Sequence, residues 1–361
     1  MEKGKAFSEI HLYKKHFNLP TVGCEEARVN DPCVKLLFVD DLGVLLSAAE
    51  VLSCTLSRDE EIFEAVERFI QELWIKPIVI RIIPLAVLGD SMEGIALLVM
   101  LHGPTRRALS DLHSSPISAT DRELMILCRK RILGCKSKSP LREALASESL
   151  GWRLFVHRYF VKPLYYLGSN LLIRWEVIRL SISLLALQRE AVICDVACGY
   201  DDLALIIAKR LGATAILNDT IAKPLFSLAK KQLYENGLYQ VQTAQELTFS
   251  KPVDLMICKN AVHHMETSEE VGALLSMLEK QANNVVIIDP CDPRKTFLGR
   301  FWNNYYRSFL LDQGDRFLDL EEFKKCIQKS FSDREIAYKK IWTIKGPFMV
   351  ATIKGTSRLL I

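Results

Sequence analysis

The stretch AVICDVACGYDD (191–202) carries a continuous apolar run into an acidic end, a loop of small residues and the start of a helical pattern. A run of this kind bounded by small residues reads as a strand buried on both faces. Outward from it the same alternation repeats. Strand 191–197 leads to helix 201–211, strand 214–218, helix 222–236, strand 253–258, helix 268–281 and strand 284–289. A helix near 319–330 and a β-rich end at 336–354 close the series, and helical stretches from about 150 to 188 precede it. Continuous apolar strands joined by helices predict a parallel, doubly wound α/β sheet, because parallel strands need crossovers. Such sheets bind ligands at the carboxyl ends of their strands.

At 361 residues the chain is long enough for about two domains. Hydrophobic residues at 49% and charged residues at 25% exclude a mainly disordered, collagen-like or disulfide-scaffold chain. Lys+Arg at 47 against Asp+Glu at 43 gives +4, too little to argue for a dedicated nucleic-acid or membrane binder, and no DNA partner is expected. The ten cysteines form no CxxC pair and read as reduced, buried thiols of a cytoplasmic protein. The N-terminal MEKGKAFSEIHLYKKHF lacks the apolar core of a signal peptide. Leu171 to Leu187 carries Arg174, Glu176 and Arg179, which makes it a poor membrane span.

Arg129 to Arg142 holds six cations and no acid, with Gly134 and Pro140 as punctuation, and reads as a surface linker. The expected organisation is a smaller α+β domain over 1–135, a basic linker over 136–148 and the doubly wound domain over 149–361. In the first part, 34–47 reads as two short strands around Asp-Asp-Leu-Gly, 59–74 as an amphipathic helix, and 78–88 with 94–103 as a strand pair hinged at Gly89-Asp90.

The first strand of the second part ends at Asp195, Val196, Ala197, Cys198 and Gly199, where small residues let a ligand approach the backbone. The next strand ends AILNDT, placing Asp219 and Thr220 where an acid can accept hydrogen bonds from ribose hydroxyls. Residues ~165–354 then resemble a class I S-adenosylmethionine-dependent methyltransferase. The stretches that carry the resemblance are ICDVACGYDDLALIIAKRLGA, AILNDTIAKPLFSLAKKQLYENGL, AQELTF, VDLMICKNAVHHM and VVIIDP. The resemblance implies S-adenosyl-L-methionine as cofactor and a Rossmann-like methyltransferase sheet. It places Asp195, Ala197, Cys198 and Gly199 around the methionine moiety, Asp219 and Thr220 at the ribose, Thr243 and Ala244 at the adenine, and Lys259 and Asn260 beside the cofactor.

Three positions depart from the family's pattern. Ala197 and Asp201 stand where its first loop usually has glycines, and Thr243 stands where an acid often reads the adenine amino group. Ala197 fits at little cost if its φ is negative. Asp201 sets a carboxylate near that of the cofactor, which is unfavourable unless a cation or water intervenes. After the fourth strand come His263 and His264, either of which can deprotonate an acceptor, with His264 the first choice. No third ligand at metal-binding spacing accompanies them, so no metal is expected. The Asn-Pro-Pro-aromatic loop of exocyclic-amine methylases is absent at 260–263. Trp302, Tyr305 and Tyr306 lie at i, i+3, i+4 and would form an aromatic helix face able to wall an acceptor site or to pack on the sheet.

The first part is similar, more weakly, to a Nudix hydrolase over about 30–135. Glu60, Arg68, Ile70 and Glu72 match that family's helix, whereas Cys54, Phe69, Leu73 and Ile75 do not. Diphosphate hydrolysis needs clustered carboxylates around divalent cations, and Glu72 alone is a poor site, so a degenerate domain that binds or packs is expected. The reading is an O- or N-methyltransferase of a small-molecule acceptor, whose extension is a nucleotide or diphosphate handle held by the first domain. The alternatives are a non-catalytic, regulatory cofactor-binding protein and hydrolysis in the first domain. Acceptor identity and oligomeric state are not legible.

Overall fold

The computed structural model describes residues 5–17, 19–22, 33–39, 51–55, 61–73, 78–88, 94–102, 120, 123–125, 127, 151–161, 163, 170–185, 190–231, 233–309, 314 and 316–355. Along the chain the elements run α1 (Lys5–Phe17), β1 (Thr21–Val22), β2 (Cys33–Val39), β3 (Val51–Thr55), α2 (Ile62–Leu73), β4 (Ile78–Leu88) and β5 (Gly94–His102). Then come α3 (Gly151–Val156), continued by a π-helical turn (His157–Val161), α4 (Leu171–Leu185), β6 (Val192–Val196), α5 (Leu203–Leu211), β7 (Thr214–Asp219), α6 (Ala222–Ala229) and β8 (Gly237–Val241). The series closes with β9 (Val253–Lys259), α7 (Ser268–Gln281), β10 (Ala282–Pro290), α8 (Phe297–Phe309), α9 (Leu320–Ser330), β11 (Glu335–Thr343) and β12 (Gly346–Lys354). The chain divides into two compact units, Met1–Leu145 with Asn218–Ser250 and Ala146–Leu217 with Lys251–Ile361.

In the first unit the strands lie in the order β8-β4-β5-β2-β3, with β1 parallel to β4. The β4/β5 pair is the expected antiparallel one, broken in register around Pro84, which cannot donate to the ladder. The basic tract at 129–142, the Gly89-Asp90 hinge and the Asp-Asp-Leu-Gly turn lie outside the described residues. Val22, Leu37, Leu88, Leu98 and Leu124 form one buried cluster. The helix α2 presents Phe63 to Phe226 of α6 and to Tyr239 of β8, with ring centroids 4.8 and 5.4 Å away. At its N-terminus the buried Glu9 carboxylate accepts a hydrogen bond from the Ile62 amide (2.8 Å), where a helix favours negative charge. The hydroxyl of Tyr13 on α1 donates to the Tyr239 carbonyl (3.0 Å), and burial pushes its acidity well below that of an ordinary tyrosine.

In the second unit the order is β11-β12-β10-β9-β6-β7. Here β6, β9 and β10 are mutually parallel, and β12 returns antiparallel to β10. Every residue of β6 is buried, and so are Leu255 to Cys258 and Val285 to Ile288, as a two-sided sheet core requires. The helix α4 lies against β9, β10 and α5. Its charges, unsuited to an apolar environment, are each spoken for. Glu176 is 2% exposed and accepts from Arg179 (2.6 and 3.1 Å) and from Lys339 of β11 (3.0 Å). Thr267 caps α7, its hydroxyl accepting from the Glu270 amide (3.1 Å), and Asp319 with Glu322 forms a capping box on α9. Helix α6 ends at Ala229, short of the expected 236, and the exposed Lys230 and Lys231 follow it in a turn.

Candidate active site

Parallel pairing brings the ends of three strands to one edge of the second unit. Val196 lies opposite Cys258, and Lys259 opposite Ile288, so the segments that follow β6, β9 and β10 leave the sheet side by side. The chain leaves β6 towards β7 on one side and reaches β9 on the other. That reversal of strand order is where open α/β sheets have their crevice.

Strand β6 carries the fully buried Asp195 one residue before its end, and the loop begins at Ala197. Ala197 has φ +55°, not the negative value under which alanine costs little. Left-handed backbone puts Cβ against the following carbonyl, so this alanine stores about 1–2 kcal/mol that glycine would not. Gly199, at φ +56°, faces open space, with nothing within 4 Å of where a Cβ would stand. The loop closes through the Asp201 amide, which donates to the Cys198 carbonyl (3.1 Å), and α5 begins two residues later.

Asp201 does not stand as an isolated carboxylate. Arg174 of α4 and Lys259 at the end of β9 both bond it, and Arg174 also reaches Asp202 at 2.7 Å. All four side chains are largely buried, at 13 to 26% exposure. Two cations against two carboxylates leave the cluster neutral, which answers the like-charge problem that the sequence poses. Arg174 is a residue that sequence reasoning missed. Its only signal was a cation kept, with Glu176 and Arg179, inside a largely apolar helix, where burial demands a partner.

After β9, Asn260 also has positive φ (+56°), and its amide donates to the Ile288 carbonyl (2.8 Å). The following 3₁₀ turn carries both histidines. His263 is buried, its Nδ1 3.1 Å from Asp289 Oδ1, and its ring stacks on Phe317 at 5.2 Å. The same Asp289 oxygen accepts from the Val262 amide (3.2 Å). His264 is exposed, its ring 4.3 Å from that of His263. One imidazole is therefore fixed in place and the other faces solvent. Among the described residues no three His, Cys, Asp or Glu side chains gather in a way that could hold a metal ion.

Helix α8 is tied to the end of β10. Gly299 lies so close to the Pro293 carbonyl that a Cβ would stand 2.2 Å from it, leaving room for glycine alone. Of the expected aromatic face, Tyr305 has its hydroxyl 3.1 Å from His157 Nδ1 and stacks on Phe309, and Trp302 meets its edge at 5.8 Å. Tyr306 is bonded by Lys345 from the β11/β12 turn. The three rings form one aromatic cluster with His157. Burial raises the pKa of Tyr305.

Asp219, Thr220, Thr243 and Ala244 are described with the first unit. The buried Asp219 accepts from the Ile221 amide through Oδ1 (2.9 Å), and its carbonyl accepts from the Gln242 amide (3.0 Å), which brings it beside Thr243. Thr243 precedes the 3₁₀ turn Ala244–Glu246 without a side-chain cap. On α2, Arg68 and Glu72 are 3.5 Å apart and exposed, while Glu67 is bonded by Lys230 (2.9 Å) and Gln71 (3.0 Å). Glu60 and Ile75, and the side chains of Cys54 and Leu73, lie outside the described residues.

Cys194, Cys198, Cys258 and Cys291 are buried free thiols. Burial pushes Cys194 and Cys258 far up and Cys291 up to about 11, so none of these three carries thiolate for nucleophilic work near neutrality.

No family model matches the chain, and neither does any curated protein. Several solved structures similar to it are described as methyltransferases. The plantazolicin methyltransferase BpumL, in complex with a triazolic desmethylPZN analog and SAH, is 16% identical, covers 58% of this chain and 98% of its own, and has a TM-score of 0.43. Magnesium protoporphyrin IX methyltransferase from Synechocystis PCC 6803, with bound SAH, is 16% identical over 53% of this chain and 97% of its own, at 0.38. The N-methyltransferase NodS from Bradyrhizobium japonicum WM9, in complex with S-adenosyl-L-homocysteine, is 9% identical over 51% and 87%, at 0.40. The assignment of the second unit as an α/β sheet with parallel β6, β9 and β10 rests on its own strand order.

Proposed function

We propose that the chain is an S-adenosylmethionine-dependent methyltransferase of a small-molecule acceptor. The observation that carries the reading is the crevice edge, where the segments after β6 and β9 are joined by the Lys259–Asp201 bond beside the open backbone of Gly199. The residues present suit the cofactor. Small Ala197 and Gly199 let the methionine moiety approach the backbone, and Arg174 and Lys259 neutralise the carboxylate that would repel its own. Roles for Asp219 at the ribose and Thr243 at the adenine come from the family resemblance.

When bound, the cofactor supplies an electrophilic methyl group on a sulfonium. The protein's part is to orient and to take a proton. His264, exposed at the edge, takes the proton of an acceptor hydroxyl or amine on a ring nitrogen. His263, fixed between Asp289 and Phe317, holds the turn that presents it. Trp302 and Tyr305 on α8 offer an aromatic surface to the acceptor.

Calorimetric titration with S-adenosylmethionine tests the reading. The wild type is expected to bind with a dissociation constant on the order of 10 μM, and Lys259→Met and Asp219→Ala to bind at least about tenfold more weakly. His264→Ala should keep that affinity and lower turnover about 100-fold on an acceptor found by panel screening. No heat from the wild type at millimolar cofactor would overturn the proposal in favour of a non-catalytic fold.

A further inference from the structure

The Lys259–Asp201 bond ties the end of β9 to the loop after β6, and its two members carry opposite charges. The Lys259 ammonium bonds Asp201 and, among the described residues, no other group, so two of its three N–H groups remain to donate. Asp201 has a second cation in Arg174, whose guanidinium reaches Asp201 with one arm and Asp202 with the other. Turning Lys259 away therefore leaves Asp201 with a partner. The planar fork of Arg174 is held at both arms, whereas the Lys259 ammonium is a point charge on a flexible stem and is free to turn. The side chains of Lys259 and Asp201 are 14 and 13% exposed, while Asp195 is sealed at 0%. Of these two acids, Asp201 is the one a ligand can reach. The backbone around the pair is strained, with Ala197 four residues before Asp201 and Asn260 one after Lys259 both left-handed. Strain of this kind clusters where a structure binds or reacts.

The amino-acid end of S-adenosylmethionine is a zwitterion, with one carboxylate and one α-ammonium. A carboxylate arriving alone would leave the two cations of the cluster facing three anions. A zwitterion adds no net charge. Its two ends also complement an opened Lys259–Asp201 pair, carboxylate to ammonium and ammonium to carboxylate.

We propose that Lys259 and Asp201 exchange partners to receive that zwitterion, Lys259 donating to its carboxylate and Asp201 accepting from its α-ammonium, while Arg174 holds Asp201 and Asp202 in place. The inference rests on the methyltransferase reading and gives the carboxylate at this loop position a part in cofactor affinity. The test is calorimetry of the full chain with S-adenosyl-L-homocysteine, with its analogue lacking the α-amino group, and with 5′-methylthioadenosine, which has neither charged group. Lys259→Met should weaken the first two ligands at least about tenfold. Asp201→Asn should weaken the first about tenfold and leave the second within about twofold, and Asp201→Glu, which keeps the charge, should retain most of the lost affinity. All variants should bind methylthioadenosine as the wild type does, which also shows them folded. If Asp201→Asn binds S-adenosyl-L-homocysteine as tightly as the wild type, or more tightly, the exchange is overturned and Asp201 is a fixed bridge or a competitor. An equal loss by Asp201→Asn on the first two ligands overturns it as well, as does a loss of methylthioadenosine binding, which would assign the bond to holding the loop. A wild type that binds none of the three overturns the methyltransferase reading itself, whereas variants that match a binding wild type overturn the exchange alone.

Discussion

Carboxylates and cations meet in both units, but on different terms. On α2 in the first unit, Arg68 and Glu72 are neighbours one turn apart on an exposed helix face. At the crevice edge of the second unit, Asp201 meets Arg174 and Lys259, residues 27 and 58 positions away that arrive on different elements and are largely buried. A pair within one helix forms wherever the helix forms and is worth a few tenths of a kcal/mol in water. A cluster drawn from three elements exists only when the whole sheet is assembled. Its members have given up solvent, so each depends on the others.

That contrast can be broken by substitution. Arg174→Met removes the guanidinium that bonds both Asp201 and Asp202, and should cost about 3 kcal/mol in urea unfolding. A loss no larger than that of a surface pair would mean that water already screens the cluster. Glu176→Gln should cost about 2 kcal/mol at neutral pH. The Arg179 hydrogen bonds hold the Glu176 carboxyl below its ordinary 4.5, against burial, with Lys339 assisting. A depressed folded value means that the stabilisation is present above 4.5 and lost as pH falls through the folded value. The gap between Glu176→Gln and wild type should therefore be constant at neutral pH and close below 4.5, and a pH-independent gap would assign the effect to packing. Ala197→Gly should stabilise by roughly 0.5–1 kcal/mol, the relief of left-handed backbone less the extra entropy of glycine. Smallest of all, Glu72→Gln should shift stability by less than about 0.5 kcal/mol.

The alternation of strands and helices over 192–219 and 253–290 was legible because each of those strands is a near-continuous apolar run. Strand β8 was not, since Tyr239 and Gln240 interrupt the apolar signal although both are buried in the fold. Nor was α1 legible, because its amphipathic residues were visible only as the lack of a leader. In the site, Asp195, Gly199 and the two histidines stood out because small and polar residues at strand ends are unusual. The partners of Asp201 could not be read, since pairing across 27 and 58 residues leaves no local pattern. The sign of φ at Ala197 was hidden for a different reason. Alanine carries no turn signal, so the strain is visible only in the backbone.

The buried thiols of adjacent strands give the sheet a reporter of its own. Cys194 on β6 and Cys258 on β9 are sealed in the centre of the second unit, each held in the unreactive thiol form. An alkylating reagent reaches them only when these strands separate. Their modification, followed peptide by peptide in dilute denaturant, therefore clocks the opening of the sheet core. Cys326 on α9, less deeply placed, supplies the internal reference for chemistry that needs no such opening.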